Sequence, residues 1–253
     1  MEKYSICLEP VLENVDFYDR IKIATDLGFD GIEFWDPTEK DMKKIGKLSS
    51  EYNIPVVGCT LLNQWTIRAN DDSELVVENL RNTIDFTEPL GCRSFILMTG
   101  ESESKADTQK NILIENLKRM AEVAEKKGVT LLLESLNTLV DHKGYYLDSA
   151  YLGYEIVKCV GSERVKLLYD CYHMQIMEGN LIDNITKNVK FTGHIHCAGV
   201  PGRNEPYIGE INYPNVLKSA VDEGFKGYIG LEYWPTCDDM ESMAASLSYL
   251  KAK

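Results

Sequence analysis

Short apolar runs and helical patterns alternate along this chain from end to end, and that alternation constrains the fold more than any other feature. Runs rich in β-branched or aromatic residues are Tyr4–Leu8, Gly31–Trp35, Pro55–Leu61, Ser94–Met98, Thr130–Leu133, Val165–Tyr169, Phe191–His196 and Tyr228–Leu231. Each reads as a buried strand. Between them Val77, Leu80 and Ile84 step by three and four, and Leu113, Leu117, Met120 and Ala124 by four, three and four. Such spacing puts each set on one helix face. Lys126, Lys127 and Gly128 supply cations for the last turn and a glycine stop. Strands alternating with helices predict a parallel sheet, and eight such units in about 250 residues is the number that closes a barrel. An open doubly wound sheet would carry a glycine-rich loop after its first strand. Here that strand leads into LEPVLENVDF, which has no glycine. No Pro/Gly/Ser-rich linker divides the chain. The expected fold is α/β, a single (β/α)8 TIM barrel over residues 1–253 acting as one catalytic domain.

The net charge of -13 repels phosphate backbones, so nucleic acid is not an expected partner. No run of 18 or more apolar residues predicts a membrane span. MEKYSICLEP lacks the basic region and long apolar core of a signal peptide. Seven cysteines, an odd number scattered without a C-x-x-C, suit free thiols in a reducing compartment, so a cytoplasmic location is expected.

Four predicted strands finish on groups that are costly to bury. GVTLLLESLN passes from an apolar run into Glu134, VKLLYD ends on Asp170, FTGHIH on His196, and GYIGLE on Glu232. In a barrel these are the C-terminal ends of neighbouring strands, where active sites are built. One residue of this kind could simply cap its strand or pair with a cation. Three carboxylates and an imidazole converging on one rim need a cation among them. Oxygen-rich ligation with one nitrogen suits Mn²⁺, Mg²⁺ or Co²⁺, with Zn²⁺ also accommodated. His173, three residues after Asp170, could reach over the same cavity, and Arg203 in the loop VPGRNEP could hold a carboxylate or oxyanion in its fork of donors. His194, two before His196, reads as a packed or hydrogen-bonded barrel residue, and His142 as a loop residue. Trp35, Trp65 and Trp234 fall near strand ends. Packing is the expected role for at least two, and Trp234 is the best candidate for an apolar substrate wall.

The segments ESLNT (134–138), YDCYHMQIMEGNL (169–181), GHIHCAGVPGRNEPYIGEINYP (193–214) and GLEYWP (230–235) resemble the xylose isomerase-like TIM barrels, and within them the hydroxypyruvate isomerases. The likeness spans nearly the whole chain and is densest from Leu131 to Pro235. It implies that Glu134, Asp170, His196 and Glu232 bind a divalent metal, Mn or Mg first. Glu134 and Glu232 would also be the catalytic acid–base pair, with His173 and Arg203 contacting substrate oxygens. The implied activity is isomerisation of a small hydroxy-keto acid such as hydroxypyruvate, through an enediolate, to tartronate semialdehyde. One position departs from that pattern: where this chain has His196, hydroxypyruvate isomerases often carry glutamine, and histidine is typical of ketose 3-epimerases. A free sugar is therefore the alternative substrate, and a sugar-binding barrel without activity the third reading. A homo-oligomer is expected by analogy with such barrels.

Overall fold

The computed structural model describes residues 2–62, 73–101 and 107–252. Eight parallel strands close into a barrel in chain order: β1 (Lys3–Cys7), β2 (Gly31–Phe34), β3 (Val56–Thr60), β4 (Ser94–Leu97), β5 (Thr130–Glu134), β6 (Val165–Asp170), β7 (Thr192–Cys197) and β8 (Tyr228–Leu231). Every predicted strand is present, with ends shifted by one residue at most. β5 and β6 take in their terminal carboxylates because Glu134 and Asp170 still pair in register, with Leu168 and His196 respectively.

Nine α-helices surround the barrel among the described residues: α1 (Phe17–Asp26), α2 (Met42–Tyr52), α3 (Ser73–Phe86), α4 (Asp107–Lys127), α5 (Ala150–Val160), α6 (Cys171–Met177), α7 (Leu181–Lys187), α8 (Tyr213–Asp222) and α9 (Asp239–Lys251). The sixth unit is the one that carries two helices. Its first, α6, starts with no intervening loop, because Asp170 is both the last residue of β6 and the cap of α6. Its Oδ1 accepts from the backbone N–H groups of Tyr172 at 2.7 Å and His173 at 3.2 Å.

Side chains alternate across each strand, so two packed regions result. The larger lies between strands and helices and includes Ile6, Phe34, Phe95, Leu133, Tyr169 and Leu231. Inside the barrel, Ile96, Leu132 and Leu168 form a small separate cluster on β4, β5 and β6. The interior positions of β1, β2 and β7 are instead polar: Ser5, Glu33, His194 and His196, all buried. The barrel interior is thus apolar on one side and charged on the other. All seven cysteines are free, and no described helix is long and apolar enough to cross a membrane.

Candidate active site at the barrel mouth

The four strand-end residues meet. One ligand atom from each of Glu134, Asp170, His196 and Glu232 lies within 4.8 Å of the others, and all four residues are buried. His196 Nδ1 is 3.7 Å from Glu134 Oε1, 4.0 Å from Asp170 Oδ2 and 3.5 Å from Glu232 Oε2. His196 Nδ1 and Glu134 Oε1 are buried without a hydrogen-bond partner. Unpartnered buried acceptors are costly, and three carboxylates around an imidazole lone pair match the donor preference of a hard or borderline divalent cation. The residues present fit such an ion.

The four groups are not electrostatically alike. Burial pushes Glu134 up; the His196 imidazole offsets part of that, Glu232 beside it adds to it, and the net shift is upward. Burial likewise raises Asp170, to about 6, despite the Arg203 charge. At Glu232 burial is outweighed by Arg203, His196 and Trp35, and its pKa falls below the usual carboxylate range. Trp35 Nε1 donates to Glu232 Oε1 at 2.6 Å, and Arg203 Nη2 donates to Oε2. Arg203 lies over the rings of Tyr172 and Trp234, 5.3 and 5.4 Å from their centroids. Its backbone occupies the left-handed region at φ 56°, and its carbonyl accepts from Trp234 N at 2.9 Å.

His173 belongs to the cluster but is fully buried beside it rather than over the cavity. Its Nδ1 accepts from the backbone N–H of Asn137 at 3.2 Å, and Asn137 Nδ2 lies 2.7 Å away. That leaves the proton on Nε2, which is unpartnered and 3.6 Å from Asp170 Oδ2. Burial, with help from Arg203, holds His173 well below the usual imidazole pKa, so it is neutral.

Above the cluster is a cavity of about 450 Å³, with Ile96, Met98, Leu136 and Val140 on its apolar side and Trp35 and Trp234 together at one wall. The two indole centroids are 6.1 Å apart. Trp35 therefore does more than pack. Trp65 lies outside the described residues. His142, read as a loop residue, lines this cavity and meets His173 edge-on at 5.4 Å. Asn137 and Asp141 complete that loop: Asn137 Oδ1 accepts from the N–H groups of Val140 and Asp141 at 3.0 Å, and Asp141 Oδ2 accepts from Asn137 Nδ2 and Tyr172 Oη.

Sequence reasoning also passed over Glu33. It lies in β2, one level below the mouth, with Oε1 3.1 Å from His194 Nε2 and Oε2 3.0 Å from His196 Nε2. Ser5 Oγ donates to Oε1 at 2.5 Å. Gly230 makes room for this layer, since a Cβ there would lie 2.5 Å from Glu33 Oε1 and 2.8 Å from His194 Nε2. Burial disfavours the imidazolium at His196, but Glu33, Glu232 and Glu134 outweigh it and hold its pKa well above the usual value in the metal-free protein.

Known proteins resemble this chain over its full length. Residues 21–253 match the sequence profile of the xylose isomerase-like TIM barrels. A human protein provisionally named hydroxypyruvate isomerase is 35% identical over 179 residues, 68% of this chain and 65% of that one. A 2-oxo-tetronate isomerase of Cupriavidus necator is 30% identical over 260 residues, 99% of this chain and 98% of that one. Among solved structures, a Brucella melitensis protein described as an AP endonuclease of family 2 superposes with TM-score 0.91 at 28% identity, covering 98% of this chain and 99% of that one. The chain belongs to the xylose isomerase-like TIM barrel family, and its likeness to relatives named as isomerases makes it an isomerase enzyme.

Proposed function

We propose that the protein is a divalent-metal-dependent isomerase of small hydroxy-keto acids, converting hydroxypyruvate to tartronate semialdehyde through an enediolate. The observation that carries this reading is the buried ring of Glu134, Asp170, His196 and Glu232, with two unpartnered ligand atoms facing one another. It is supported by relatives named for hydroxypyruvate and for 2-oxo-tetronate. These four residues would hold the ion, Mn²⁺ or Mg²⁺ by donor chemistry, with Co²⁺ and Zn²⁺ also accommodated. When bound, the ion supplies Lewis-acid polarisation of the substrate carbonyl and its neighbouring hydroxyl.

The chain's own groups move the protons. The C3–H bond of the substrate breaks and its proton passes to one of the two carboxylates, Glu134 or Glu232. The other returns a proton to C2. The hydroxyl proton shifts from the C3 oxygen to the C2 oxygen, which leaves an aldehyde at C3 and balances the reaction. Glu134 Oε1 is the carboxylate oxygen free of partners, whereas Trp35 and Arg203 hold both oxygens of Glu232. His173, neutral and carrying its proton on Nε2, 3.6 Å from Asp170 Oδ2, would orient that carboxylate from behind and does not line the substrate cavity. Arg203 would anchor the substrate carboxylate through donors not engaged by Glu232, its Nε being unpartnered. Trp234 would cover the substrate's apolar face.

One observation favours a ketose 3-epimerase as the second reading: a 450 Å³ cavity with an apolar side has room for more than three carbons. Phosphodiester cleavage fits less well. The cavity carries Glu134, Asp141 and Glu232 against Arg203 and His196, and the chain has net charge -13 and four histidines. Proton NMR in D₂O, with Mg²⁺ added to metal-stripped protein, tests the proposal against hydroxypyruvate, a 2-oxo-tetronate and a panel of ketoses. Deuterium entering hydroxypyruvate beside its carbonyl, with turnover reduced at least ~100-fold in Glu134→Gln, is the expected result. Epimerisation of a ketose alone would overturn the acid substrate and keep the proton-transfer scheme.

A further inference from the structure

Glu33 is a carboxylate at 1% exposure in the middle of a strand, and its only ion-pair partners among the described residues are two imidazoles. Burying such a group is costly unless its lone pairs are used. Here they are. Ser5 donates to one oxygen, His196 Nε2 meets the other at 3.0 Å, and His194 Nε2 comes within 3.1 Å of the first without a hydrogen bond. Glu33 is not among the residues lining the cavity, so it is not placed to touch substrate.

The consequence lies at His196. A neutral imidazole has one N–H and one lone pair. An ionised carboxylate can only accept, so the nitrogen facing Glu33 must carry the hydrogen. That nitrogen is Nε2, 3.0 Å from Oε2. In the neutral, ion-binding form the lone pair is then on Nδ1, the atom that faces Glu134, Asp170 and Glu232 without a partner. Gly230 lets the carboxylate sit there, and Ser5 keeps its other oxygen from turning away.

We propose that Glu33 is a positioning residue that fixes the tautomer and orientation of His196, so that Nδ1 is the nitrogen that gives up its proton and takes the divalent cation. A carboxylate behind a ligating histidine also strengthens it as a donor, and loss of such a partner weakens metal binding by about 10- to 100-fold. The inference rests on the metal reading given above and adds a residue outside the ligand ring.

The test uses the full chain with Mn²⁺ and Mg²⁺ as the probes. Calorimetric titration of Mn²⁺ should give one ion per chain in the wild type and a Kd about 10- to 100-fold larger in Glu33→Gln, whose amide must turn a donor toward one of its three neighbours. Long-range ¹⁵N–¹H NMR of the Mg²⁺-loaded wild type should show His196 protonated at Nε2 and bare at Nδ1, a readout that depends on no variant folding. A proton on Nδ1, or an unchanged Mn²⁺ affinity in a folded Glu33→Gln, would overturn the positioning role and leave the metal reading standing. Two ions per chain, the second lost in Glu33→Gln, would overturn it by making Glu33 a ligand. No Mn²⁺ binding to the wild type would overturn both readings together.

Discussion

Glu232 is the mouth residue whose two oxygens are both engaged, and that makes its neighbours informative. Trp35→Phe keeps the ring against Trp234 but removes the donor that reaches Oε1 at 2.6 Å. A hydrogen bond to a charged acceptor contributes roughly 1.5–3 kcal/mol, so kcat/KM is expected to fall at least tenfold. Steady-state kinetics decides, and an unchanged value would reduce Trp35 to a packing role. The four ring residues were legible in the sequence because each interrupts an apolar run where a barrel strand must end. Glu33 was not, because a single carboxylate inside GIEF reads like the polar position of an alternating strand. Only closure of the barrel reveals that its face is the interior, opposite His194 and His196. His142 and Asn137 escaped for a different reason: a loop held by an Asn turn has no period to read.

At the scale of elements, the two segments that follow β7 and β8 behave as one piece. Arg203 sits in the first of them, and Trp234 N and Asn204 Nδ2 tie it to the second. Beneath them Glu205, fully buried, accepts from Thr236 N at 2.8 Å, Thr236 Oγ1 at 3.0 Å and Ser242 Oγ at 2.8 Å. Burial raises its pKa, but the donors from Thr236 and Ser242 outweigh burial, and the net shift is downward. A carboxyl whose folded pKa lies below its unfolded value of about 4.3 stabilises the fold above that value. The contribution disappears as pH falls through the folded pKa. Glu205→Gln should therefore be less stable than wild type by about 1–3 kcal/mol at neutral pH, with the gap closing below about pH 4. Urea unfolding across pH measures it, and a gap that persists in acid would show that shape, not charge, is what Glu205 provides. The sequence marked PGRNEP as an anion-binding loop but could not show the tether, since Glu205 and Ser242 are brought together only by the last βα unit.

At the scale of the whole molecule, the barrel concentrates its cost in one place. Glu134, Asp170 and Glu232 converge in a buried site with Glu33 directly below, and Arg203 and His196 are the cations in direct contact with them. Burial raises Glu134 and Asp170, so without a metal their ionised forms oppose folding. Two linked outcomes follow. Addition of Mn²⁺ at about 100 times its Kd should stabilise the wild type by about 2.7 kcal/mol. In a chain of this size that raises the melting temperature by roughly 5–10 °C, and chelation should reverse it. Asp170→Asn keeps the Oδ1 that caps α6 while removing one charge from the ring. Its metal-free form should melt above the metal-free wild type, and Mn²⁺ should then raise it little. Differential scanning calorimetry of both proteins, with and without Mn²⁺, reads all four states in one series. If Asp170→Asn instead melts lower without metal and keeps the full Mn²⁺ response, the aspartate is a structural cap and the ion is held by other groups. The crossing of the two melting curves separates a site built for a cation from a polar barrel end that is stable by itself.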